Sequence, residues 1–308
     1  MRTPLLISVM VLVLLTQAHA AQPGSCNTTI QSFNIRYGTA SDGDNAWQNR
    51  RFQVRLAIRH TDPDLIGLQE CLDFQADDLD KAFREYELVG VGRDDGERAG
   101  EMCAVMVRRS RFEILDQGHV WLSETPAEPG VRGWDAACPR MLTWVLLHDR
   151  YCDPDTFIFA NTHFDHVGET ARSESARLVL RTLRDVADGR PVILTGDFNA
   201  TAGESEPWDV LVYGGEKTGL KLIDTWLAAD RREDLADDGT FHGFDGKPDT
   251  GRIDWVLVTD DWRIEWAWID RKQVGGRWPS DHFPVGTRLR SSWQPGVEAV
   301  DGWTGATR

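Results

Sequence analysis

Six groups of polar residues stand where apolar runs of this chain stop: Asn34, Glu70, His163, Asp197 with Asn199, Asp254, and Asp281 with His282. In a sheet, strand ends gather at one edge, which is where open α/β architectures bind ligands. An acid after a strand is by itself an ordinary turn or helix-capping residue. Here six such ends occur together. The carboxylates and amides of Glu70, Asp197, Asn34 and Asn199 are hard oxygen ligands of the kind that suit Mg²⁺ or Mn²⁺. Two histidines beside carboxylates supply imidazoles that can act as base and acid near neutral pH. The chain carries neither a G-x-S-x-G nucleophile elbow nor a G-x-x-x-x-G-K-[ST] phosphate loop. The residues therefore favour metal-assisted attack of water on phosphorus.

The segments that must position these groups alternate between short apolar runs and two helical patterns. Residues 30–35 read as a strand, 48–60 as an amphipathic helix, 65–70 as a buried strand and 75–85 as a second helix. The runs 104–107, 112–115 and 141–147 read as an antiparallel meander. Residues 156–163 form a strand, 169–187 a strong helix, 191–199 a strand ending in Asp-x-Asn, and 252–258 another strand. A strand-turn spans 278–285. The unit of helix 48–60 and the strand to Glu70 rhymes with helix 169–187 and the strand to Asp197, which suggests two related α/β halves. No Ser/Gly-rich linker divides them, so 21–290 reads as one domain, followed by a tail at 291–308.

Residues 1–20 read as a leader. Arg2 is the basic start, Leu5 to Leu15 the apolar stretch and Ala18-His19-Ala20 the cleavage site. The stretch is too short for a permanent membrane span, which needs about 20 apolar residues. The expectation is export to the periplasm or the medium. A lipid anchor on Cys26 is the alternative, although Pro23-Gly24-Ser25 lacks the Leu such an anchor requires. Export makes disulfides permissible among Cys26, Cys71, Cys103, Cys138 and Cys152, and with five sulfurs at least one stays unpaired or joins another chain. Cys71 reads as a small buried apolar residue. With 34 Lys+Arg against 49 Asp+Glu the net charge is −15, and no basic run appears. That balance disfavours a protein gripping long nucleic acid.

The motifs Asp64-Leu-Ile-Gly-Leu-Gln-Glu70, Asn161-Thr-His163, Gly196-Asp197-Phe-Asn199, Ile253-Asp254 and Ser280-Asp281-His282, in that order, resemble those of the endonuclease/exonuclease/phosphatase superfamily. The similarity runs from about Gln31 to Leu289. Further stretches (Gly100-Glu101, residues 121–126, Gly133-Trp-Asp135, Pro139-Arg140 and His163-x-Asp165) resemble a group of bacterial metal-dependent hydrolases. The resemblance implies a deoxyribonuclease-I-like α/β fold, a four-layer sandwich of two mixed sheets packed face to face with helices outside. It implies Glu70 as principal metal ligand with Asn34 beside it and Asp281 contributing. Asp197 and Asn199 would position water and phosphate oxygens, Asp254 would pair with His282, and Glu101 with His163.

For the substrate, Trp47, Trp134 and Trp278 are candidates for an aromatic wall, with core filling as the ordinary alternative. Arg50 and Arg140 are candidate phosphate contacts, with salt bridges as the alternative. The expected substrate is a small phosphate ester, and no protein partner is indicated. A secreted nuclease is the alternative, with a lipid phosphodiesterase or an inactive binding module behind it.

Overall fold

The structure is a computed structural model and describes residues 26–152, 156–215, 219–233 and 235–291. The leader and the tail beyond Ser291 lie outside the described residues.

Two six-stranded sheets form the centre. The first has the order β11(Trp262–Ile269), β12(Val285–Ser291), β1(Asn27–Asn34), β2(Leu65–Leu72), β4(Glu101–Arg108), β3(Tyr86–Val89). The second runs β5(Phe112–Trp121), β6(Met141–Asp149), β7(Thr156–His163), β8(Val192–Asp197), β10(Asp254–Val258), β9(Ile223–Asp224). Both sheets are mixed, because β1 and β2 are parallel, as are β7 and β8, while their other neighbours are antiparallel. The helices are α1(Trp47–Thr61), α2(Asp73–Ala82), α3(Glu169–Ala187), α4(Glu206–Tyr213) and the single turn α5(Thr225–Ala228).

Alternation along the strands builds the layers. Ile30, Leu65, Val105, Phe159, Ile193 and Val256 face one another between the sheets. Phe33, Ile66, Leu68 and Met106 point the other way, onto Val54, Ile58 and Leu79 of α1 and α2. Ile158, Leu194 and Trp255 do the same on the far side, against Leu180, Leu183 and Leu211 of α3 and α4. The result is the helix–sheet–sheet–helix sandwich.

The two halves do rhyme. Strand, helix, parallel strand recurs as β1–α1–β2 and β7–α3–β8, and each helix ends on a left-handed aspartate, Asp62 and Asp188. Across the sandwich β1 meets β8 and β2 meets β7. At that crossing a polar bridge replaces apolar packing. Gln69 Nε2 and Thr195 Oγ1 both donate to Asn161 Oδ1, at 2.6 and 3.1 Å, and Asn161 Nδ2 donates to the carbonyls of Leu68 and Ala104. Gly67 makes room for it, since a Cβ there would lie 2.1 Å from Thr195 Oγ1 and 2.6 Å from Asn161 Oδ1.

Differences from the expected elements have simple causes. The segment 278–285 is irregular, and only its last residue enters a strand, β12. The edge strand β11 interleaves charged and aromatic residues, so it shows no simple apolar run. Among the described residues no helix is long and apolar enough to cross a membrane.

Candidate active site

The sheet topology gathers the polar strand ends at one mouth. β1, β2, β7 and β8 end there; β4 and β10, antiparallel to β2 and β8, begin there with Glu101 and Asp254. Residues of the same parity as the central core face inward, which puts Asn34, Glu101, His163, Asp197 and Asp254 in the cleft between the sheets. Register pairs His163 with Asp197 and Asp197 with Asp254.

Glu70 is the exception. By alternation it would follow Leu68 toward the helices. A bulge between Leu68 and Cys71, with Glu70 at φ 58°, turns it back into the mouth. There Oε1 accepts from Asn34 Nδ2 at 3.1 Å and Oε2 from the Tyr37 amide at 2.9 Å. Arg36 and Asn199 also hold left-handed backbone, at φ 56° and 47°. Strained residues concentrated at one mouth mark a site rather than a scaffold.

Asn34 joins the metal-ligand candidates to the rest, donating also to Asp197 Oδ2 at 2.9 Å. Asp197 Oδ2 lies 3.4 Å from His163 Nε2 and 3.7 Å from His282 Nε2. Burial, and then the charge of Asp254, raise the Asp197 carboxyl to about 7. His282 Nδ1 donates to Asp254 Oδ2 at 2.9 Å, with both side chains buried. Burial alone would push this imidazole down, but Asp254 and Asp197 outweigh it and hold it well above the usual histidine range. His163 goes the other way: burial, then the Arg140 and Arg93 guanidiniums, keep it neutral. Asn199 Nδ2 donates to the Phe164 carbonyl at 3.0 Å and meets His163 Nε2 at 3.1 Å, which places the ring proton on Nδ1.

Glu101 lies beside His163 and is also held by an arginine. Glu101 Oε2 stands 3.9 Å from His163 Nδ1, while Arg93 takes both Glu101 oxygens at 2.7 Å. Arg93 comes from the loop before β4 and carries no local motif that would have revealed it. Arg36 escaped notice for the same reason; it sits 3.5 Å from Asp281 and is braced by Asp42.

One candidate phosphate contact is corrected. Arg50 is buried, and its guanidinium donates to the carbonyls of Asn45, Ile35, Pro279 and Arg36. It pins the loops around the mouth instead of reaching a ligand. Arg140 is also buried, held to Asp165 Oδ2 at 3.4 Å and His166 Nδ1 at 3.0 Å, but its Nη1 has no partner among the described residues and stays available to a phosphate oxygen. Trp47 is a core residue with its indole N–H on Asp78, and Trp134 packs half-buried against the helix side of the second sheet. Trp278 is nearer, half-buried against His242 and Phe283. Trp47, being buried, offers no face to a ligand.

Asp197, Asp254 and His282 bring ligand atoms within 4.8 Å of one another. A histidine held protonated by two carboxylates is a poor ligand, so we read these three as a charge pair beside the cation rather than around it. A divalent cation fits the neighbouring donors. Burial raises Asp281 and Glu101, against the lowering pull of His282 on the first and Arg93 on the second, and Glu70 adds to the rise of both. Glu70, Asn34 and Asp281 offer the hard oxygens, with Asp197 beside them. The second cluster, Cys138, Asp165 and His166, already contains the Arg140 guanidinium in the cation's place.

Comparison with known proteins agrees with this arrangement. The model of the Endonuclease/Exonuclease/phosphatase family matches residues 32–282. The solved endonuclease/exonuclease/phosphatase of Bacteroides vulgatus is 36% identical with a TM-score of 0.79, covering 86% of this chain and 99% of that one. A mannosyl-6-phosphatase of Bacteroides thetaiotaomicron is 35% identical with a TM-score of 0.77, covering 85% and 99%. An uncharacterized protein of Acanthamoeba polyphaga mimivirus is 27% identical over 168 residues, 50% of this chain and 59% of that protein. The chain thus spans less than two thirds of that curated relative.

Proposed function

The chain belongs to the endonuclease/exonuclease/phosphatase family and is a hydrolase of phosphate esters, and we propose that its substrate is a small, sugar-like phosphate ester met outside the cytoplasm. The observation that carries the reading is the Asp254–His282 pair set against Asp197 at the same mouth as Glu70 and Asn34. The likeness to a mannosyl-6-phosphatase over nearly its whole length supports a small ester, as does the net charge of −15. The leader pattern at 1–20 supports export.

In this reading Glu70, Asn34 and Asp281 hold Mg²⁺ or Mn²⁺, which when bound supplies a Lewis acid for the phosphoryl oxygens. The protein's own groups do the rest. Asp197, raised to about 7, takes a proton from the attacking water at neutral pH. His282, kept cationic by Asp254, faces the negative charge that grows on the phosphoryl oxygens. Neutral His163, fixed by Asn199, orients the ester and presents Asp197 with an uncharged neighbour.

The test is hexose-phosphate turnover with Mg²⁺, with chelator, and in Asp197→Asn. Turnover should vanish in chelator, return with the metal, and fall by roughly 10²–10⁴-fold in the variant. Undiminished turnover in chelator, or in Asp197→Asn, would remove the assignment.

A further inference from the structure

Cys26 and Cys152 meet at the end of the sandwich opposite the mouth. Cys26 precedes β1, and Cys152 lies in the connection from β6 to β7. Both β1 and β7 run eight residues from that end to the catalytic edge, a distance of roughly 25 Å at strand rise. The Cys26 thiol stands beside that of Cys152 and contributes to raising it. Arg111 fixes their surroundings: it donates to the Asn27 carbonyl at 2.6 Å and Thr28 Oγ1 at 2.9 Å, and reaches Cys152 Sγ at 3.6 Å. Both cysteines are half-buried, within reach of a reagent, whereas Cys71 and Cys103 are buried and Cys138 rests on Asp165.

We propose that Cys26 and Cys152 are a disulfide in the working protein, tying the first strand of one sheet to the β6–β7 connection of the other. The oxidant is a disulfide-exchange partner. One cysteine, as thiolate, attacks a sulfur of the partner's disulfide and expels one partner thiolate, leaving a mixed disulfide. The second cysteine thiolate then displaces the other partner sulfur. Two protons leave the cysteines, and the two electrons leave with the partner as a dithiol. Burial, then the Cys26 contact, push the Cys152 thiol up to about 12, so uncatalysed exchange at neutral pH is slow. The cross-link would span 152 − 26 = 126 residues of chain, a loop long enough for a large effect on the unfolded state. The site is remote from the mouth, so the cross-link stabilises without altering catalysis.

The experiment equilibrates the purified chain in an oxidising glutathione buffer and then titrates thiols in denaturant. Three thiols (5 − 2) should remain, and a non-reducing peptide map should link the Cys26 and Cys152 peptides. Reductant should lower the melting temperature of the wild type by roughly 5–10 °C and leave Cys26→Ser and Cys152→Ser unaffected. Ester turnover should be the same oxidised and reduced. Five titratable thiols after oxidation, a link through Cys138, or a lipid on Cys26 would each overturn the proposal.

Discussion

His163 and His282 approach the same oxygen, Asp197 Oδ2, at 3.4 and 3.7 Å, yet are held in opposite protonation states. The difference is the partner of each ring. His282 has the Asp254 carboxylate at 2.9 Å, whereas His163 has the Asn199 amide and two arginines nearby. His282→Ala and Asp254→Asn should therefore each cut turnover by roughly 10²–10⁴-fold, and the double variant by little more than either, since the pair acts as one unit. A double variant showing the product of the two losses would separate them. Glu70→Gln keeps the side chain's shape and removes its charge, so half-maximal activity should need a higher Mg²⁺ concentration. A metal titration with an unchanged midpoint would exclude Glu70 as a ligand. Arg50 makes a different claim. Two of its four carbonyl contacts are buried and two partly so, and an unsatisfied buried group costs about 1–3 kcal/mol, so Arg50→Met should lower stability by about 3–5 kcal/mol in urea unfolding. Lost substrate affinity at full stability would instead restore it as a phosphate contact.

At the scale of elements, what was legible depended on whether a residue's role was written locally. Strand ends were legible because an apolar run stopping at Asn34, His163 or Asp197 is a contiguous pattern, and the helix at 169–187 was legible from its period. Arg93, Arg36 and the Asn161 bridge were not, because loops and cross-sheet contacts between distant segments place them. Arg50 reads as a phosphate contact or a salt bridge because the carbonyls it holds, of Ile35, Arg36, Asn45 and Pro279, are brought together only by the fold. Glu70 was found, but the bulge that aims it is invisible in its sequence. The β1–β2 and β7–β8 crossing makes one element-level claim. In Gly67→Ala the new Cβ would meet Thr195 Oγ1 and Asn161 Oδ1, which sit in a fixed network and cannot withdraw cheaply. The expected loss is about 3 kcal/mol, read as a lower urea midpoint at unchanged m. A neutral result would mean that the two sheets slide apart there at no cost.

Over the whole molecule, the two α/β halves present a set of acids to one mouth, and the chain as a whole carries a net charge of −15. A bound divalent cation reverses the sign of the field only locally. A small ester needs that local field alone, while a duplex must also lie along the repelling surface beyond it. On the proposed reading the charge of the whole chain, more than any one residue, disfavours a duplex. The most direct measurement is kcat/KM with Mg²⁺ at physiological salt for a hexose phosphate and for plasmid DNA, on the same preparation. The small ester should be hydrolysed more efficiently, with DNA cleaved slowly or not at all. Plasmid DNA degraded faster than every small ester tried would contradict the account and return the protein to the nucleases of its family.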